Sequence, residues 1–494
     1  MEGCFAPGKN IYMVGVKGTG MTALAELLCH GGANVSGSDL PEVFYTDAIL
    51  KELNISWHES FDSAHVPPGA DLVIHSAAYD REKNPELAAA LAMGLKVVKY
   101  TDALGAYSEQ FDSSGIAGVH GKTTTTALCG VLIRAASLPA CVLAGSAVGA
   151  FGGRSTLTLG GKYFVAETCE YRKHFLSFRP RRIVLTSVES DHQDFFPTYE
   201  SIRDAFVEYA LLLPQGGTLI YCADDQGASE TASIVLQKRK DIQAIPYGLK
   251  AGADLPPESG FVITGIETKN ERTVFYLNGF DEPFVLRVPG RHTVLDAAGA
   301  LALSLSLLKT EYGDAFAGAA RKFLPAMRAA LELFSGSRRR SEIIGEAGGI
   351  LFMDDYGHHP TAIKTTLEGL REFYPARRIV LSFMSHTYSR TAALLDEFAA
   401  SFDNADMVVL HKIYASAREQ YRGGVNGKTL YERALERQSR GGGPEFHYAE
   451  EVLDALPLLK SNLKKGDLFI TMGAGDNWKL GRALYDYFGK RDKA

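Results

Sequence analysis

The chain has 494 residues, of which 46% are hydrophobic and 22% charged, and this composition is typical of a folded globular protein. Its formal net charge of -6 provides no overall attraction to nucleic acid or to an anionic membrane. We therefore expect neither as a partner, and we expect anionic ligands to be held locally by loop amides, helix starts and metal ions. At roughly 100–200 residues per domain, the length predicts about three domains.

The 6 cysteines are scattered without a C-x-x-C pair, which favours buried free thiols over disulfides or a zinc site. The first residues lack the basic region and long apolar run of a secretion signal. No stretch matches the roughly 20 apolar residues of a membrane helix. Together these features predict a cytoplasmic protein.

The chain opens with a strand at 11–16, a glycine turn and a helix near 20–31. A second strand leads to Ser38 and Asp39, and a third covers 71–75. Strands that alternate with helices in this way predict a parallel, helix-covered sheet. Ligands of such sheets bind at the carboxyl ends of the strands.

The same alternation returns twice along the chain. A strand at 116–119 precedes a glycine-lysine-threonine turn and a helix near 123–135, and a further alternating series starts near 332. The glycine-rich stretch 214–290 is expected to form an added lobe. The pattern predicts an α/β protein of three domains, each built on a mainly parallel sheet. They are a Rossmann-like N-terminal domain (1–107), a P-loop central domain (108–331) and a Rossmann-like C-terminal domain (332–494).

The clearest local motif is the run from Gly118 to Thr126, which reads G-V-H-G-K-T-T-T-T between an apolar strand and an amphipathic helix. Backbone amides of such a turn bind phosphates. Lys122 would supply positive charge to a transferred phosphoryl group, and the Thr123 hydroxyl would ligate Mg²⁺. The turn is shorter than a full Walker motif, and the alternative is a glycine turn with an incidental lysine. The strand before it and the helix after it favour phosphate binding.

Two further polar residues follow strand ends in the same segment. Glu167 directly follows the predicted strand 163–166, and His192 lies just past the predicted strand 183–186. A carboxylate and an imidazole there would complete a Mg²⁺ site with Thr123, although Mg²⁺ normally selects oxygen. Spacing alone equally allows a capping carboxylate and a solvated loop.

Four motifs, taken in order, resemble the Mur ligases. They are the run 118–126, Ala166-Glu167, the loop D-H-Q-D at 191–194 and the run D-D-Y-G-H-H-P at 354–360. The resemblance spans residues 11–482, and it is specific because it links motifs that lie hundreds of residues apart. In that family three domains hold a UDP-sugar, ATP and the incoming amino acid, in chain order.

The resemblance is strongest to the alanine-adding member of the family. It implies an ATP-dependent amide ligase of peptidoglycan precursor synthesis, which joins L-alanine to the carboxylate of UDP-N-acetylmuramate through an acyl phosphate. It also implies ATP and Mg²⁺ as cofactors and a monomer or homodimer. The sequence leaves serine and glycine open as alternatives to alanine, because one methyl group in a pocket is worth only about 1–3 kcal/mol.

The resemblance assigns roles to individual residues. The implied magnesium ligands are Thr123, Glu167 and His192. The implied catalytic residues are Lys122, His192, Arg340, Asp355, His386 and Arg390. The implied ATP-binding residues are Gly118, His120, Gly121, Lys122, Thr123, Thr124, Thr125, His292, Asp296, Arg340 and Asp355. The implied UDP-sugar-binding residues are Gly15, Gly18, Thr19, Gly20, Met21, Ser38, Asp39, His75, Ser76 and Ala77.

Several positions depart from the family pattern, among them Lys17, Thr293, Asp296, Ser341 and the stretch after Tyr414. Lys17 stands in the first glycine turn where the family usually has glycine. Asp296 replaces an adenine-contacting asparagine, and an ionised aspartate accepts hydrogen bonds but donates none.

The sequence also leaves other functions open. The run C-E-Y-R at 169–172 resembles a ligase that recycles murein tripeptide on the same nucleotide sugar, whereas H-T-Y-S-R-T at 386–391 favours the alanine-adding enzyme. A folylpolyglutamate-type ligase leaves the first glycine turn without a role. A Rossmann oxidoreductase explains residues 11–39 but not the P-loop, and a P-loop NTPase without ligase activity explains only the P-loop. Read in isolation, Arg338 to Arg340 is a basic linker, and His358 and His359 are a helix-entry pair.

Overall fold

The computed structural model describes residues 3–252, 260–415, 419, 421 and 423–491. Among these residues, three helix-covered sheets follow one another along the chain. The predicted fold class, three α/β domains with mainly parallel sheets, is confirmed.

The N-terminal sheet consists of β1 (Asn10–Val14), β2 (Asn34–Ser38), β3 (Ser56–His58), β4 (Leu72–His75) and β5 (Val97–Lys99). Its helices are α1 (Thr19–His30), α2 (Thr46–Glu52), α3 (Pro85–Ala92) and α4 (Tyr100–Ser108). The strand order is β3-β2-β1-β4-β5, and the pairings are parallel. Because parallel strands end at the same edge, the turns that follow β1, β2 and β4 meet there.

The central sheet contains β6 (Asp112–Ala117), β7 (Ala140–Val148), β8 (Arg154–Thr158), β9 (Tyr163–Glu167), β10 (Arg182–Leu185), β11 (Thr218–Cys222), β12 (Gln243–Gly248), β13 (Phe261–Thr268), β14 (Thr273–Leu277) and β15 (Phe284–Leu286). The helices of this part of the chain are α5 (Lys122–Ala135), α6 (Tyr199–Ala210), α7 (Gln226–Lys238), α8 (Arg291–Tyr312) and α9 (Phe316–Glu332). The strand order is β15-β14-β13-β12-β11-β10-β6-β9-β7-β8. Strands β11 to β15 therefore extend this sheet, and the expectation of an added lobe at 214–290 was wrong.

The C-terminal sheet contains β16 (Glu342–Ala347), β17 (Ile350–Asp355), β18 (Ile379–Met384), β19 (Met407–Leu410), β20 (Glu445–Tyr448) and β21 (Leu468–Gly473), in the order β16-β17-β21-β18-β19-β20. Its helices are α10 (Pro360–Phe373), α11 (Tyr388–Ala393), α12 (Leu395–Ala400), α13 (Gly427–Gly441), α14 (Leu456–Asn462) and α15 (Trp478–Arg491). Only β16 is antiparallel to its neighbour. Apolar clusters cover both faces of this sheet, as expected when the strands are buried on both sides.

Short 3-10 helices complete the described secondary structure, at Ser63–His65, Gly149–Phe151, Tyr171–Ser177, Gly313–Ala315 and Val452–Ala455. One stretch, Arg291–Glu332, is long and apolar enough to cross a membrane by length and composition, and 78% of its most apolar window is buried in the protein. The expectation that no stretch has this composition was wrong. The residues are apolar because they face the interior of the fold.

The chain forms two compact units, and each is discontinuous in sequence. The first unit comprises Met1–Val188, Arg203–Val262 and Ala298–Ala330. The second unit comprises Glu189–Ile202, Ile263–Ala297 and Leu331–Ala494. The domain boundaries predicted at residues 107 and 331 remain predictions, and the functional residues are described below within each unit.

Candidate active site

In the first unit, the turn between β6 and α5 depends on two glycines with positive φ. Gly118 has φ +143° and Gly121 has φ +79°. A Cβ atom at Gly118 would lie 2.0 Å from the Thr186 hydroxyl oxygen, so only glycine fits there. Helix α5 begins directly after Gly121, and the first amides of a helix lack partners within it. The turn is therefore suited to bind phosphate.

The ammonium group of Lys122 lies within this turn. Its Nζ atom donates hydrogen bonds to the carbonyl oxygen of Gly118, to that of Val119 at 3.2 Å and to Glu170 Oε2 at 2.9 Å. Burial by itself lowers the pKa of Lys122, but the carboxylates of Glu170 and Glu167 outweigh this effect and raise the pKa overall. The lysine therefore carries a full positive charge at neutral pH.

Thr123 and Glu167 lie side by side at the start of α5 and the end of β9. The Thr123 hydroxyl donates to Glu167 Oε2 at 2.8 Å, and the amide of Gly145 donates to the same oxygen at 2.7 Å. Gly145 permits this approach, because a Cβ atom there would lie 2.4 Å from Oε2. A hydroxyl and a carboxylate are hard oxygen donors of the kind that Mg²⁺ prefers, so these two residues fit a magnesium site.

In the second unit, Asp191 and Arg390 form a buried ion pair. Arg390 donates from Nε at 2.9 Å and from Nη2 at 2.6 Å to Asp191 Oδ1, and the amide of His192 donates to the same oxygen at 2.7 Å. Burial alone would raise the pKa of Asp191, but the neighbouring guanidinium lowers it overall. His192 itself has φ +55°, a backbone conformation that non-glycine residues adopt mainly where their surroundings impose it.

His386 and His358 lie beside Arg390. His386 Nδ1 is 3.2 Å from Arg390 Nη1, and the two imidazole rings meet edge to face with centroids 5.4 Å apart. Burial, followed by the charge of Arg390, lowers the pKa of His358 well below its usual value, so its ring is neutral at pH 7. His358 Nδ1 lies 2.8 Å from the carbonyl oxygen of Tyr356, which only accepts. The hydrogen therefore sits on Nδ1, and Nε2 keeps a lone pair.

Asp355 and Arg340 belong to one loop cluster at the end of β17. Asp355 accepts hydrogen bonds from the amide of Ser341 at 2.6 Å and from that of Gly357 at 2.6 Å. The guanidinium of Arg340 lies over the ring of Tyr356, 5.3 Å from its centroid. The structure thus brings these two predicted site residues into one cluster. Their contacts with ATP remain predictions.

His292 and Asp296 lie one turn apart in the first part of α8, and residues four apart share a helix face. The ring of His292 is packed against Gly290, where a Cβ atom would lie 2.3 Å from His292 Cε1. Asp296 is buried. Recognition of adenine by these two residues remains a prediction.

The first glycine turn, between β1 and α1, is fixed by Asp39. The Lys17 amide donates to Asp39 Oδ2 at 2.7 Å, and the Tyr79 hydroxyl donates to Asp39 Oδ1 at 3.2 Å. Gly15 has φ +87°, and a Cβ atom there would lie 2.6 Å from Tyr79 Cε2. Of the other residues predicted for this site, Gly18 lies in the same turn. Thr19, Gly20 and Met21 begin α1, and Ser76 and Ala77 follow directly after β4.

The side chain of Lys17 is turned into the protein. It is 1% exposed, and its Nζ atom donates to the carbonyl oxygens of Leu40 at 2.9 Å and Glu42 at 3.1 Å. Asp47 lies 3.6 Å away, and the ring of Trp57 lies 5.6 Å from Nζ. The lysine that departs from the family pattern therefore supports the segment after β2.

Ser38 and His75 also have protein partners in this region. The Ser38 hydroxyl donates to the buried carboxylate of Glu86. His75 is buried, and Arg81 Nε lies 3.2 Å from its Nε2 atom. We therefore expect the backbone of these strand ends, rather than their side chains, to reach a nucleotide.

Two acidic residues that were not among the predicted site residues each contact one, and a third contacts the run H-T-Y-S-R-T beside the predicted His386 and Arg390. Glu170 pairs with Lys122, and Asp191 pairs with Arg390. Glu419 accepts from the amide of Tyr388 at 2.6 Å and from the hydroxyl of the next residue in the H-T-Y-S-R-T run. Their placement gives some signal for the first two, because Glu170 is three residues past Glu167 and Asp191 adjoins His192. Nothing in the local sequence around Glu419 indicates its contact.

Comparison with protein families gives three matches in chain order. A model for the Mur ligase family catalytic domain matches residues 10–112, one for the Mur ligase middle domain matches 116–304, and one for the Mur ligase glutamate ligase domain matches 339–475. The matched ranges include the first glycine turn, the P-loop and the cluster around Asp355.

Curated relatives match over nearly the whole chain. The UDP-N-acetylmuramate–L-alanine ligase of Treponema pallidum is 52% identical over 97% of this chain and 97% of its own. The enzyme of the same name from Borrelia garinii is 38% identical over 95% of this chain and 97% of its own. Among solved structures, UDP-N-acetylmuramate–alanine ligase from Thermotoga maritima covers 98% of this chain and 99% of its own with a TM-score of 0.73. At 22% identity, that structure supports the fold alone.

Proposed function

We propose that this chain, which belongs to the Mur ligase family, uses ATP to join L-alanine to the carboxylate of UDP-N-acetylmuramate in peptidoglycan synthesis. The observation that carries the proposal is 52% identity over 97% of the chain to a curated ligase with that activity. The P-loop geometry agrees with it, because Lys122 is charged and lies in a phosphate-binding turn.

The first chemical step makes the sugar-acid carboxylate an electrophile. A carboxylate oxygen attacks the γ-phosphorus of ATP, the bond to the β–γ bridging oxygen breaks, and an acyl phosphate and ADP result. Lys122 and the amides at the start of α5 neutralise the charge on the phosphoryl oxygens, since catalysis of phosphoryl transfer is mainly positioning and electrostatics.

Magnesium is the cofactor that the family implies alongside ATP. Thr123 and Glu167 would hold it through their oxygen atoms, with His192 as a third ligand by resemblance. When bound, the ion supplies further positive charge at the phosphates. We also propose that the enzyme is a monomer or homodimer of the cytoplasm.

The second step is attack of the alanine amine on the acyl carbon, after which phosphate leaves. The amine must lose a proton, and the candidate acceptors are His358, His359 and His386. In His358 the Nδ1 atom faces the carbonyl oxygen of Tyr356, which leaves the lone pair on Nε2. Arg390 and His386 are the proposed contacts for the amino acid, and in the structure Arg390 is held by Asp191.

The test is a release assay for ADP and phosphate with the purified protein. We expect release only when ATP, Mg²⁺, UDP-N-acetylmuramate and L-alanine are all present, with the amide product seen by mass spectrometry. Parallel reactions contain L-serine, glycine or the murein tripeptide in place of L-alanine. Preference for the tripeptide would replace this proposal with the recycling ligase, and release without the nucleotide sugar would exclude both.

A further inference from the structure

Lys122 forms an ion pair with Glu170, a residue that has no role in the proposed reaction. Glu170 Oε2 lies 2.9 Å from Lys122 Nζ, and the two side chains are 3% and 13% exposed. The other two hydrogen bonds of the ammonium go to the carbonyl oxygens of Gly118 and Val119. An ammonium group has three N–H donors, so the protein itself orients all three.

The backbone around Glu170 fixes the position of this carboxylate. The amide of Lys173 donates to the carbonyl oxygen of Glu170 at 2.8 Å, and the amide of Phe175 donates to that of Cys169 at 2.9 Å. Glu170 lies three residues past the end of β9 and is buried. The carboxylate therefore has little freedom to swing towards solvent.

Energetics favour a pair that persists when ATP binds. Separation of Lys122 from Glu170 would leave a buried carboxylate without its counter-charge, which is strongly unfavourable. When ATP binds, a phosphate oxygen displaces a neutral loop carbonyl from Lys122 Nζ at lower cost than it would displace the carboxylate. Protein kinases use a comparable lysine–glutamate pair at the nucleotide phosphates.

We propose that Glu170 is a positioning residue for phosphoryl transfer, which holds the Lys122 ammonium oriented in the phosphate-binding turn before ATP arrives. The inference rests on the proposed ligase function for its kinetic test. The opposite hypothesis makes Glu170 a competitor that ATP must displace. The two hypotheses predict opposite changes in ATP affinity when the charge of Glu170 is removed.

The experiment starts from the isosteric substitution Glu170→Gln. We expect kcat for ligation to fall by about 10- to 100-fold, the size of losing an oriented charged contact. Affinity for a non-hydrolysable ATP analogue with Mg²⁺ should weaken, and affinity for UDP-N-acetylmuramate should not change. Glu208→Gln is the matched control, because Glu208 pairs with the neighbouring Lys173 at 2.6 Å on the surface. Tighter binding of the ATP analogue by Glu170→Gln would overturn the proposal.

A double-mutant cycle separates positioning from a general structural role. If Glu170 acts through Lys122, then Glu170→Gln should slow a Lys122→Ala enzyme by no more than about twofold, because residues that act as a unit are non-additive. Full additivity of the two losses would refute action through Lys122.

Two further measurements keep the test decisive. Glu170→Asp retains the charge and should recover part of the lost kcat, whereas equal losses in both variants would contradict the proposal. Melting temperatures of all variants show whether a loss reflects unfolding. If the wild-type protein fails to ligate L-alanine, the proposed function fails, and the binding measurements with the ATP analogue still decide the role of Glu170.

Discussion

The two glycine turns of the first unit each follow a buried strand, precede a helix and contain or adjoin one lysine, yet they use that lysine differently. Lys122 is the first residue of α5, directly after the turn, and its ammonium reaches back to contact the loop carbonyls and Glu170. Lys17 lies in the turn between β1 and α1, but its ammonium points away from the turn and bonds to Leu40 and Glu42.

The difference shows that a lysine in a glycine turn is not by itself a sign of phosphate chemistry. In the first turn, the carboxylate of Asp39 occupies the backbone amide of Lys17. In the second turn, the amides at the start of α5 are oriented for phosphate. Occupied amides occur in both turns, because the amides of Val119 and His120 donate to Ser187, so the direction of the lysine ammonium is what distinguishes the two turns.

The largest expected effect comes from Lys122→Ala. Loss of its charge should lower kcat for ligation by at least about 10²–10³-fold. Binding of UDP-N-acetylmuramate, measured by calorimetry, should be unchanged because Lys122 belongs to the other turn. Lys173→Ala, which removes a surface lysine, is the control and should keep normal kcat. Loss of nucleotide-sugar binding together with ligation would break the distinction between the turns.

The next effect concerns the metal. Glu167→Gln should raise the Mg²⁺ concentration for half-maximal activity by about 10- to 100-fold, because a carboxylate ligand becomes a neutral amide. Asp39→Asn removes the corresponding carboxylate beneath the first turn and should leave the Mg²⁺ requirement unchanged. A magnesium titration of ligation rate measures both. Equal shifts of the half-maximal Mg²⁺ concentration in the two variants would show that magnesium binding does not depend specifically on Glu167.

Substitution of the glycines should affect one substrate each. Gly118→Ala places a Cβ atom 2.0 Å from Thr186 Oγ1, and Gly15→Ala places one 2.6 Å from Tyr79 Cε2. With about 1–3 kcal/mol of strain, we expect KM to rise roughly tenfold, for ATP in the first variant and for UDP-N-acetylmuramate in the second. Gly153→Ala also has positive φ but meets no atom within 4 Å, so it should alter neither KM. Crossed effects on the two substrates would contradict this assignment.

The smallest kinetic effect is expected for Lys17→Met. The carbonyl groups of Leu40 and Glu42 would lose a charged hydrogen-bond donor and Asp47 would lose a nearby positive charge. This loss costs about 1–3 kcal/mol and should lower the melting temperature by several degrees. The value of kcat should stay within about twofold of normal, since only folding support is lost. Differential scanning calorimetry and the ligation assay provide the two values. A fall in kcat like that of Lys122→Ala would mean that Lys17 takes part in the reaction.

The sequence predicted the regular elements of the fold well where hydrophobic runs were long. The predicted helix near 123–135 is α5 without its first residue, and the predicted strand 163–166 is β9 without its last residue. The sequence did not predict that strands β13 to β15 join the central sheet. No local pattern in this glycine-rich segment indicates that its antiparallel strands pair at the edge of another sheet.

Some residues of the candidate site could be predicted from the sequence, and others could not. Lys122, Thr123 and Glu167 could be predicted because each lies at a fixed place relative to a strand end or helix start. Pairing across long stretches of chain could not be predicted, since no local pattern connects Asp191 with Arg390. The orientation of Lys17 was equally hidden, because it depends on the carbonyls of a later segment.

The ion pair between Asp191 and Arg390 has a consequence for biosynthesis. Asp191 leaves the ribosome 199 residues before its partner, so while those residues are made it lacks the guanidinium that compensates its burial. The segment Glu189–Ile202 can therefore reach its final environment only when the chain is nearly complete, and a polypeptide released early would expose an acidic loop to proteases and chaperones.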